Sequence, residues 1–94
     1  MRVGLLRAGF YLHGCASLKD KRRRLSGLRD KFGKRTALAV CESKHADELR
    51  RAEWTFVASA SSDVVVQQVL TEVENYLASA LDAEVVCLQR EWLV

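Results

Sequence analysis

Five cationic side chains, Lys19, Lys21, Arg22, Arg23 and Arg24, fall between positions 19 and 24. Lysine and arginine crowded at a helix start, where the first backbone N–H groups lack intrahelical partners, suit an anion such as phosphate. The helix dipole disfavours cations there, by roughly 0.3–1 kcal/mol each in the first turn, so stability alone would place them in the last turn. Lys34, Arg35, Lys44, Arg50 and Arg51 extend the set. Contacts of this kind fix position and affinity on a polyanion without reading its sequence.

Other reactive side chains are sparse. Acyl-phosphate chemistry wants a glycine-rich loop ending in arginine and an asparagine to orient water. The loop before the basic stretch is His13-Gly14-Cys15-Ala16, and the one asparagine, Asn75, is far away. Glu42, His45, Asp47 and Glu53 are types that ligate divalent ions. They read better as surface groups, with Glu42 and Glu53 paired to Lys44 or Arg51 for ~0–1 kcal/mol. Cys15, Cys41 and Cys87 are odd in number with no C-x-x-C, so they read as small buried or half-buried hydrophobes. No catalytic residue, metal or cofactor is expected.

These residues must be positioned by regular elements. Ser17 to Gly33 reads as one helix, with Ser17 as N-cap, Asp20 completing an approximate capping box and Gly33 ending it in a left-handed conformation. Leu18, Leu25, Leu28 and Phe32 make its apolar stripe, and Lys21 beside it snorkels outward. Gly27 costs roughly 1 kcal/mol against alanine in mid-helix, which points to a close contact. Residues 2–12 alternate as a strand with Leu6, Ala8, Phe10 and Leu12 inward. Thr36–Glu42 and Ala52–Ala60 form a hairpin around a polar tip, Ser43–Arg51. Ser61-Ser62-Asp63 caps a second helix to about Leu81, with Val66, Val69, Leu70, Val73, Tyr76, Leu77 and Ala80 inward. Ala83–Trp92 is the last strand.

The order βαββαβ predicts a single α+β domain over 1–94. It is ferredoxin-like, a four-stranded antiparallel sheet with both helices on one face. The uncovered face would carry Val3, Leu5, Tyr11, Val57 and Val85 or Val86, enough for homodimerisation through that face or an edge strand.

Charge is uneven along the chain. Residues 1–36 hold eleven Lys and Arg against two acids, whereas residues 60–94 hold one Arg against six. Such polarity suits a polyanionic partner, or head-to-tail self-association. No apolar run approaches the ~20 residues that span a membrane, and MRVGLLRAGFYL lacks a signal-peptide layout, so a cytoplasmic protein is expected.

With Ser17-Leu18-Lys19-Asp20-Lys21-Arg22 at a helix start, the chain resembles the YlxP-like family of small bacterial proteins of unknown function. A second block, Glu42, His45, Asp47, Arg51, Ala52 and Glu53, is similar to that family's Glu-x-x-His-x-Asp-x-x-x-Arg-Ala-Glu, with Leu49 where members often carry Trp. The resemblance implies a ferredoxin-like fold. It also implies a role around RNA or the ribosome, because the family's genes often lie beside those of elongation, initiation and ribosome-maturation factors. It carries over no catalytic residue. The functional expectation is a non-catalytic RNA- or ribosome-associated module built on the basic helix start. The alternative is a homodimeric structural or adaptor protein.

Overall fold

The computed structural model describes residues 1–94. Its elements run β1 (Arg2–Tyr11), α1 (Leu18–Phe32), β2 (Leu38–Lys44), β3 (Arg51–Ala60), α2 (Asp63–Ala80) and β4 (Glu84–Trp92). They form one antiparallel sheet in the order β2-β3-β1-β4. This is the ferredoxin-like α+β arrangement, with β2 and β4 as edges.

The alternation in β1 sends Leu6, Ala8 and Phe10 to the helix side. They join Leu25, Leu28 and Phe32 of α1, Phe56 of β3 and Val66, Leu70, Val73 and Leu77 of α2 in one buried cluster. Phe32 is the joint of that cluster. Its ring meets Phe56 edge-on at 6.1 Å and Tyr76 edge-on at 5.3 Å, tying the sheet to both helices. Edge-on pairs add ~0.5–1.5 kcal/mol beyond burial itself. Gly27 sits under the Tyr76 hydroxyl, and a Cβ there would overlap that oxygen. The close contact expected of Gly27 is this helix crossing.

Several local expectations are corrected. Gly33 is right-handed, at φ −68° and ψ −17°, and its N–H donates to the Arg29 carbonyl. The left-handed residues are Gly14, Ala37 and His45. Because Ala37 turns the chain, β2 starts at Leu38, two residues later than expected, and runs on to Lys44. Leu18 is 40% exposed, and Lys21 takes the buried place in its stead. Cys15 is buried, but Cys41 and Cys87 are exposed, because each lies on an edge strand. A β-bulge shifts the β1–β4 register between Gly9 and Phe10. It brings Val85 against the core, while Val86 stays exposed.

The open face of the sheet is mixed. Leu5 is buried there, outside the main cluster. Arg7 donates to Gln89 and lies 3.7 Å from both Glu53 and Glu91. No helix is long and apolar enough to cross a membrane.

Candidate nucleic-acid interface

Ser17 caps α1 as the sequence indicates, its hydroxyl accepting from the Asp20 N–H at 3.0 Å. That bond places the Asp20 carboxylate at the centre of the basic stretch. Arg23 donates to it at 3.2 Å through Nε, and Arg24 Nε lies 3.1 Å away. The Arg23 hydrogen bond, aided by the charge of Arg24, holds the Asp20 carboxyl below the ordinary aspartate range and raises Arg23 in return. Arg24 also donates to the His13 carbonyl at 2.8 Å and approaches Asp82 to 3.7 Å.

Lys21 departs furthest from its expected role. Its side chain is 5% exposed. Its ammonium donates to the carbonyls of His45 (2.8 Å) and Glu48 (2.7 Å) and pairs with Glu42 at 3.1 Å. The reason is angular: at ~100° per residue, position 21 falls within the face defined by Leu25, Leu28 and Phe32. The β2–β3 tip covers that face and offers carbonyls there. These bonds hold His45 in its left-handed conformation (φ 65°), which costs a non-glycine residue roughly 1–3 kcal/mol.

Lys21 is thus withdrawn from the expected phosphate contacts, and Arg23 and Arg24 share the Asp20 carboxylate. Arg35 pairs with Glu72, and Arg51 lies 3.5 Å from Glu48. Lys19, Arg22, Lys34, Lys44 and Arg50 are exposed and outside the ion pairs of the chain. Half of the ten expected residues therefore stay free.

Among the cations outside the expected set, Arg29 stands beside the hairpin tip. Arg29 has no carboxylate partner, and its guanidinium lies 5.3 Å from the Trp54 ring centre. It stands seven residues after Arg22, on the same flank of α1, a spacing of ~10.5 Å at 1.5 Å per residue. That spacing is legible in the sequence; what lies opposite it is not. Across from this flank is the hairpin tip, where Glu42 of β2 faces Trp54 of β3 in register. A groove of about 470 Å³ runs between them. Leu18, Arg22 and Arg29 line one wall, and Glu42, Asp47 and Trp54 the other.

The second block does not assemble into one site. Glu42 turns to Lys21 on the helix side. Glu53 accepts from Ser43 at 2.6 Å and faces Arg7 on the open side. Lys44 and Arg51 are therefore not the partners of these two acids. No group of three histidine, cysteine or acidic side chains is close enough to hold a metal ion. His13 is held 2.7 Å from Glu84.

The model of a family described as Protein of unknown function (DUF503) matches residues 3–90. No curated protein matches the chain.

Proposed function

The chain belongs to the DUF503 family, described only as of unknown function, and we propose that it is a non-catalytic RNA- or ribosome-associated binding module. The Ser17–Arg22 box and the Glu42–Glu53 block support placing it with the YlxP-like group within this reading. The observation that carries the proposal is the division among the cations. Asp20 pairs with Arg23 and Arg24, and Glu42 pairs with Lys21, whereas Lys19, Arg22 and Arg29 on α1 have no carboxylate partner. Lys34, Lys44 and Arg50 add to the long-range field. Phosphate contacts of this kind give binding that weakens steeply with salt. The reading places the protein in the cytoplasm, where the exposed thiols of Cys41 and Cys87 stay reduced.

Filter binding to a structured RNA across a salt series tests it. Changing Lys19, Arg22 and Arg29 together to glutamine should lower the slope of log K against log salt by ~2. Arg35→Gln, a change at a residue held by Glu72, should leave the slope alone. Absence of retention at low salt refutes the proposal.

The exposed edge supports a second reading, a homodimeric structural or adaptor protein. β4 is nine residues long, and Val86, Leu88 and Trp92 on it are exposed, followed by exposed Leu93 and Val94. A long exposed edge without lysine or proline, its apolar residues Val86, Leu88 and Trp92 interleaved with Gln89, Arg90 and Glu91, invites strand pairing with a second copy. Sedimentation equilibrium decides it: a monomer at 100 μM refutes this reading, and a dimer that Leu88→Lys dissociates supports it.

A further inference from the structure

The groove between α1 and the β2–β3 tip is lined by charges of both signs. Arg22 and Arg29 stand on the helix side and Asp47 on the tip, and these three form no ion pairs with one another. Leu18 belongs to the apolar pattern of α1 yet is 40% exposed at the mouth of this groove. Trp54, also lining it, is 4% exposed, and its Nε1–H is buried with no acceptor in the protein. An exposed Leu18, two arginines without carboxylate partners and the Asp47 carboxylate, beside Asp30 and Glu42, suit a ligand that is anionic at one end and hydrogen-bond donating at the other. The volume, about 470 Å³, is within the ~300–1,000 Å³ typical of small-ligand sites.

We infer that this groove takes one unpaired guanine nucleotide of an RNA. The inference rests on the RNA-association reading and names the element recognised. Guanine presents N1–H and the N2 amino group side by side on its Watson–Crick edge. One carboxylate, Asp47, accepts both. Adenine, cytosine and uracil have no such adjacent pair of donors. The flanking phosphates meet Arg22 and Arg29, two arginines on the helix wall without carboxylate partners. The base lies against Leu18 at the mouth of the groove. A base-paired guanine has this edge occupied, so the site selects single strands, loops and bulges.

Fluorescence anisotropy tests the inference with four labelled RNA hexamers: hexauridylate, and the same chain with one central guanosine, adenosine or cytidine. The guanosine hexamer is expected to bind at least tenfold tighter than the other three. Asp47→Asn should reduce that preference below threefold while circular dichroism and thermal midpoint stay unchanged. Glu48→Gln, a neutralised carboxylate on the same tip, should keep the preference. Equal binding of all four hexamers overturns the inference but leaves RNA association standing. So does failure of all four when a structured RNA still binds. If no RNA binds at all, the RNA reading itself falls, and the groove assignment with it.

Discussion

Replacing Lys21 by methionine separates a clamp from a phosphate contact. The substitution keeps most of the stem's volume, so little cavity forms, but it removes the ammonium that joins α1 to the hairpin tip. Two carbonyls, of His45 and Glu48, lose a donor, and the Glu42 carboxylate, only 20% exposed, loses its counter-charge. Removing one partner of a buried pair costs ~3–5 kcal/mol. Partial exposure of Glu42, and water reaching the exposed tip, bring the expectation to about 3 kcal/mol at pH 7. A domain of this size has ~5–15 kcal/mol in total, so the loss is large. At ~4–8 °C per kcal/mol it is a fall in Tm of roughly 12–24 °C. Urea unfolding followed by circular dichroism measures the stability, and RNA filter binding below the transition measures the function. Affinity of the folded protein should not change, because the ammonium faces inward. Adding Glu42→Leu should recover part of the loss, since the stranded carboxylate is then gone. An unchanged urea midpoint refutes the clamp. A folded variant that has lost RNA binding shows instead that Lys21 turns outward to phosphate.

Three further outcomes follow from single contacts. Gly27→Ala, which in an exposed helix would stabilise by up to ~1 kcal/mol, should here destabilise by about 1–3 kcal/mol because the new methyl meets the Tyr76 hydroxyl; Tyr76→Phe in the same chain should restore part of it, as read by urea midpoint. Iodoacetamide followed by mass spectrometry should label Cys41 and Cys87 quickly in the native protein and reach Cys15 only after unfolding. Asp20, held below its ordinary value of 3.8 by Arg23, stays ionised in the folded chain to lower pH than in the unfolded one. Its stabilising contribution is complete above pH 3.8 and is lost as pH falls through the folded value. The gap in urea midpoint between the wild type and Asp20→Asn should therefore close below pH 3.8, and a gap constant with pH refutes the assignment.

Much of the architecture is legible because it repeats. Alternation in residues 2–12 and the 3.6-residue stripes of both helices mark which faces are buried, and six elements in that order leave the ferredoxin-like arrangement. Gly27 was readable as a close contact because a glycine in mid-helix needs a reason. The expected cation set was readable only as a composition. The dipole argument counts positive charges along a helix without counting the acids that the fold brings to them. Asp20 stands three and four residues before Arg23 and Arg24, so it is readable in the sequence as their partial partner. Glu42 could not have been matched to Lys21, because they are 21 residues apart and meet only when the hairpin tip folds over α1.

Residue types at neighbouring positions set the elements, most of their buried faces and the uneven charge. Tertiary structure alone decided which cations are free. It buried Lys21, left Leu18 exposed and placed Arg22 and Arg29 opposite Asp47 and Trp54 across one groove. The physical reason is range. Backbone geometry relates residues a few positions apart, whereas the charge a side chain meets depends on whichever distant segment packs against it.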